Sequence, residues 1–287
     1  MKEDVPNYYT HLKFGAAVLG ALPTALAGLL SEEREAFELG CLGPDPLFFY
    51  HPLGTGAVRR AGHAMHEATA LPAAKRLRRA VEENVPMVRG YAAGFFCHLA
   101  LDSACHGYVD TRAAEGDITH LAIEAEFDRT LMVEDGWPLN DRHAHMPEIC
   151  NPAVWTAAAR AYEHVTPRQM EGAFRAMARD TAMLARACAR PRGRLIDLVS
   201  WLIPPARGIR GIALRAVPDP ACAACGQILR MLMNAAVRPT AREIAGFFED
   251  IAQERVLSEW FDRDFKGNIF GNPPEKVLTK KKRRAIL

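Results

Sequence analysis

Apolar and polar positions along this chain recur with helical spacing. Alanine, leucine, glutamate and arginine dominate the stretches between breakers, and short alternating runs of β-branched residues are nearly absent, so the pattern predicts helix after helix and an all-α fold. The predicted helices cover residues 10–30, 58–70, 75–83, 88–104, 119–133, 152–164, 167–190, 195–203, 221–237 and 241–264. Thr166 before Pro167, and Thr240, have the character of N-caps, and Asn151-Pro152 puts proline in a first turn. Between Gly40 and Gly56, prolines 44, 46 and 52 and glycines 43, 54 and 56 predict a loop. After Gly267 the chain turns to glycine and proline and then to Lys280-Lys281-Lys282-Arg283-Arg284, which predicts a flexible basic tail. The expected organisation is one multi-helix domain over 1–266 and a tail over 267–287.

Composition narrows the picture. A chain of 287 residues, 49% hydrophobic, can bury a sizeable core within one large domain. Lysine plus arginine number 36 against 34 acidic residues, a net charge of +2 that gives no general attraction for nucleic acid. Seven irregularly spaced cysteines read as reduced, mostly buried thiols in a reducing compartment. The apolar stretch 14–30 lacks the positive leader of a signal peptide, since Glu3 and Asp4 precede it, and Gly20 and Pro23 interrupt it. A buried helix and a cytoplasmic location are expected. Arg192, Arg194, Arg207, Arg210 and Arg215 surround the apolar run 195–203, which reads as a core helix with snorkelling arginines or as a segment lying on a membrane surface. The basic tail is either a solubilising end or a contact for anionic lipid. The oligomeric state stays open.

Chemistry concentrates in residues 94–124. His98, Asp102 and His106 stand at i, i+4 and i+8, one stripe of a helix embedded in apolar sequence. Buried without partners, three such groups would cost several kcal/mol, and a divalent metal satisfies imidazole and carboxylate together. His120 and Glu124 repeat the i, i+4 pairing on the next predicted helix. Histidine with carboxylate and no thiolate pattern favours zinc. Cys97 and Cys105 lie beside the stripe as packing residues. Cys222-Ala223-Ala224-Cys225 lacks a second pair, and His143, His145 and His164 are read as surface histidines. The aromatic run Leu47-Phe48-Phe49-Tyr50 is either core or the lining of a pocket.

In this order the motifs resemble the zinc-dependent phospholipase C family. The resemblance rests on His11, Gly43-Pro44-Asp45, His98-x-x-x-Asp102, His106 and His120-x-x-x-Glu124, and it covers roughly the first 130 residues. It implies an all-helical domain whose cluster of two or three zinc ions hydrolyses a phospholipid or another phosphate ester, with peripheral contact to a membrane as one setting. Single-strand nucleases share the metal arrangement, and a metal-stapled helical protein without catalysis is the rival of another class. By resemblance, His98 and Asp102 hold one zinc with Asp102 bridging, His106, His120 and Glu124 hold a second, and His11 belongs to a third. Asp45 matches the general base or water-orienting residue. One more histidine is implied, for which His51, His63 and His66 compete and His66 is favoured. Two departures stand out: ten residues precede His11 where the secreted enzymes present an N-terminal tryptophan, and Asp102 to His106 is a shorter spacing.

Overall fold

The computed structural model describes residues 8–51, 56–139, 146–188 and 217–270. Their architecture is all-α, with ten α-helices and no strand among the described residues; Arg263 and Ile269 form an isolated bridge. The helices are α1 (Tyr8–Ala21), α2 (Thr24–Glu32), α3 (Arg34–Cys41), α4 (Ala57–Glu67), α5 (Leu71–Glu82), α6 (Val88–Ala114), α7 (His120–Glu134), α8 (Ala153–Ala159), α9 (Pro167–Cys188) and α10 (Ala223–Ala252). Tight 3-10 turns occupy Asp45–Phe49, Pro220–Cys222 and Glu259–Phe261. Among the described residues no helix is long and apolar enough to cross a membrane. The predicted helix at 195–203, the basic run at 280–284, His143 and His145 lie outside the described residues.

Several boundaries differ from those expected, each for a local reason. The helix expected over 10–30 is divided, because Pro23 adopts extended backbone and starts α2 afresh. Helix α3 falls where a connection was expected; Ala36, Phe37, Leu39, Gly40 and Cys41 are buried on it, so tertiary packing carries a segment that ends among glycines. The helix expected over 58–70 stops at Glu67, and α5 restarts with proline in its first turn. The two helices expected over 221–237 and 241–264 are one, running through Pro239 and ending at Ala252. Thr240 does not cap a helix start: it is buried mid-helix, and its Oγ1 donates to Ala236 O at 2.7 Å. Two expected starts hold. Thr166 and Gln169 exchange hydrogen bonds as a capping box, and Thr119 Oγ1 accepts from Ala122 N ahead of α7.

Helix α6 runs along the core, in contact with α1, α3, α5, α7, α8 and α10. Its crossing with α3 is a backbone-to-backbone approach. A Cβ on Gly94 would overlap Phe37 O, one on Gly40 would overlap Tyr91 O, and one on Gly90 would stand 2.5 Å from Glu33 O. Phe95, Phe96, Phe247, Phe261 and Phe265, all fully buried, share the core in which α6, α10 and the last described segment meet.

Candidate metal centre

Four helices and one turn bring the polar cluster together. Helix α6 supplies His98, Asp102 and His106 from successive turns, α1 supplies His11, the Asp45–Phe49 turn supplies Asp45, α4 supplies His66, and α7 supplies His120 and Glu124. His98 is fully buried, and the side chains of His11, Asp45, His66 and Asp102 are no more than 8% exposed. Asp102 faces two ways. Its Oδ1 lies 3.3 Å from His11 Nε2 and 3.6 Å from His106 Nε2, while Oδ2 lies 3.2 Å from His98 Nε2 and 3.8 Å from His66 Nε2. Asp45 Oδ1 stands 3.2 Å from His66 Nε2 and 3.6 Å from His98 Nε2.

The backbone orients these rings. His98 Nδ1 donates to Cys41 O at 3.0 Å and His66 Nδ1 to Gly62 O at 3.1 Å, so both rings turn Nε2 into the cluster. Gly43 is required just before the turn that carries Asp45. Its φ of +53° favours glycine, and a Cβ there would lie 2.5 Å from the His98 ring. The His11 and His98 rings stack with centroids 4.1 Å apart.

The α7 side of the cluster is more open. His106 Nε2 lies 3.5 Å from Glu124 Oε1, and His120 Nε2 lies 2.9 Å from the same oxygen. His120 Nδ1 pairs at 3.0 Å with Asp110 Oδ1, a carboxylate one turn after His106. Without a metal, charge balances within the cluster. Burial works to raise the Asp102 carboxyl, yet His98, His106 and His11 hold it well below the usual carboxylate range. Burial also opposes ionisation of Glu124, but His120 and His106 bring it down to about 2. Burial works to discharge His106, and Asp102 and Glu124 outweigh it, raising the imidazole to about 9.

The donor set fits a metal. His11, His98 and Asp102 form one group, Asp45, His66 and His98 a second, and His106, His120 and Glu124 a third, each with ligand atoms within 4.8 Å of one another. His98 Nε2 is buried without a hydrogen bond, a state that costs about 1–3 kcal/mol unless something accepts its lone pair. Imidazole nitrogens with carboxylate oxygens and no thiolate are the set that suits zinc. Every residue expected from the sequence lies in these groups. Of the three competing histidines, His66 is the one in a group; His51 is exposed, and His63 packs on the Phe48 ring. His164 is exposed, as expected. Cys97, Cys105, Cys222 and Cys225 are buried free thiols outside the groups, and Leu47, Phe48 and Phe49 are buried in the turn.

Two supporting carboxylates went unnoticed in the sequence. Asp110 could have been found at i+4 from His106. Asp128, on α7, accepts from Tyr9 N at 3.2 Å, Thr10 N at 2.8 Å and Thr10 Oγ1 at 2.5 Å, fixing the start of α1 beside His11; it too stands at i+4, from Glu124, on the stripe begun by His120.

No curated protein and no solved structure matches the chain. Residues 10–167, just over half of the chain, match the family profile described as zinc dependent phospholipase C, and this span contains all eight residues of the three groups. With its all-α architecture and its buried histidine–carboxylate cluster, the chain belongs to the zinc-dependent phospholipase C family.

Proposed function

We propose that this protein hydrolyses phosphate esters in the manner of a phospholipase C, on a phospholipid or a related phosphodiester, with two or three zinc ions held by His11, His66, His98, Asp102, His106, His120 and Glu124 and with Asp45 serving the attacking water. The observation that supports this best is the double-facing Asp102, which puts one carboxylate between several imidazoles and so suits neighbouring ions that share a ligand. Ions so placed supply charge neutralisation at phosphate oxygens and activation of a water.

The chain's own residues divide the remaining work. Asp110 accepts the Nδ1 proton of His120 and so keeps Nε2 directed at the cluster. His106, His120 and Glu124, the more exposed members, stand where a substrate reaches the cluster. Asp45, on a turn stiffened by Pro44 and Pro46, takes the proton of the attacking water onto its carboxylate or orients that water. Asp45 also lies at a distance suited to holding an ion, and its two roles separate experimentally: Asp45→Asn that keeps all bound zinc while losing turnover identifies the base.

The test is to load purified protein with zinc and assay a chromogenic phosphocholine ester, phosphatidylcholine vesicles and single-stranded DNA side by side. Hydrolysis of the ester and the vesicles supports the phospholipase reading, and cleavage of DNA alone redirects it to a nuclease. Full zinc occupancy with no hydrolysis of any of the three makes the cluster a structural staple.

A further inference from the structure

The family match ends at residue 167, yet the last described segment returns to the metal centre. After α10, residues 253–270 cross the junction of α4 and α5 and then the middle of α6. Ala70 N donates to Arg263 O at 2.8 Å, Thr69 Oγ1 donates to Asp262 Oδ1 at 3.0 Å, and Ser103 Oγ, next to Asp102 in sequence, donates to Asp264 O at 2.8 Å. The buried Asp264 carboxylate ties the turn that follows, accepting from Lys266 N at 2.9 Å, Asn268 N at 2.8 Å and Asn268 Nδ2 at 2.7 Å. Gly267, with a φ of +83°, approaches so closely that a Cβ would lie 2.5 Å from Ser103 O. Between these anchors Phe265 is fully buried, its ring 4.9 Å from that of His66 and 5.7 Å from that of His98.

We propose that Phe265, delivered from outside the family-matched region, is a positioning residue of the metal centre: it fixes the His66 and His98 imidazoles and seals their inner side from water. The inference rests on the reading that these histidines hold zinc. His66 and His98 each donate one hydrogen bond to the backbone, from Nδ1, which leaves the ring free to swing about that contact unless its faces are packed. Phe48 stands 5.0 Å from His66, His11 stacks on His98, and Phe265 is the ring that touches both. An apolar wall also lowers the local dielectric around the ligands and tightens their interaction with a cation.

Linkage supplies a test in the unaltered protein. If Phe265 organises the zinc ligands, zinc must in turn stabilise the segment that carries Phe265. Hydrogen exchange of the full chain, metal-free and zinc-loaded, is therefore expected to slow across residues 261–268 on loading. Phe265→Ala is expected to weaken zinc binding about 10- to 100-fold in competition with a chromophoric chelator, with Phe265→Leu staying within a few-fold of the parent. Phe174→Ala, which opens the core beside Trp155, serves as the control that lowers the melting temperature and leaves zinc affinity unchanged. Zinc uptake with identical exchange across 261–268 in both states overturns the proposal, as does parental zinc affinity in Phe265→Ala. A parent that takes up no zinc instead sinks the metal reading itself.

Discussion

The two ends of the polar cluster are built differently. At the inner end His98 is fully buried and shared by two ligand groups, and its neighbours are held by backbone carbonyls, a stacked ring and a left-handed glycine. At the outer end His106, His120 and Glu124 form one group from two helices, are 13–14% exposed, and rely on the Asp110 side chain for orientation. Inner residues are thus fixed by the fold and outer ones by each other. The inner end should fail all at once and the outer end one ion at a time.

His98→Ala gives the largest effect expected from that contrast. It removes a ligand common to two groups, so it should lose more than one zinc equivalent by elemental analysis and all measurable turnover. Retention of all but one ion would show that the inner groups are independent. Asp45→Asn comes next, with turnover on a phosphate ester falling by about a hundred- to ten-thousandfold while circular dichroism and zinc content stay parental. At the outer end Glu124→Ala should lose a single equivalent, lower the melting temperature because site and fold form together, and leave the inner ions in place. Loss of all zinc in that variant erases the distinction between the two ends. Asp110→Asn should weaken only the outermost ion, by about 10- to 100-fold, seen as one altered phase in a chelator titration.

The smallest effect is a pH dependence. Metal-free His106 holds its proton up to about pH 9, and a zinc ligand must be neutral, so binding at the outer end displaces one proton below that pH. Apparent affinity should climb by about tenfold per pH unit as pH rises towards 9 and then level off. His106→Gln should flatten this slope.

The cluster was legible in the sequence because α6 presents it as an i, i+4, i+8 stripe in apolar surroundings, and α7 repeats the spacing. What lay hidden depends on contacts between distant segments. Asp128 reaches across more than a hundred residues to the start of α1, and Phe265 is one more phenylalanine until the chain folds back. Glycine and proline misled in opposite directions. Gly40 bounds the expected loop yet serves as a contact surface, and the gap expected between residues 237 and 241, where Pro239 lies, is the interior of one helix that packs along α6 and α1. The end of α10 was overestimated because the helix stops at Ala252, followed by Glu254 in the left-handed region with a φ of +53°, a stop made without glycine that helical periodicity does not register.

The glycine-lined crossing of α3 and α6 bears on any attempt to redesign this site. With Phe37 O and Tyr91 O where a methyl group would go, the two backbones act as a gauge block that sets the height of His98 above the turn carrying Asp45. Alanine at position 94, one turn before His98, changes no ligand, yet it would wedge the helices apart and shift every donor on α6 together. A combinatorial library that varies the ligands and spares Gly40, Gly90 and Gly94 would therefore search metal preference on a fixed frame. One that spares the ligands and varies those glycines would mostly sample misaligned copies of the same site.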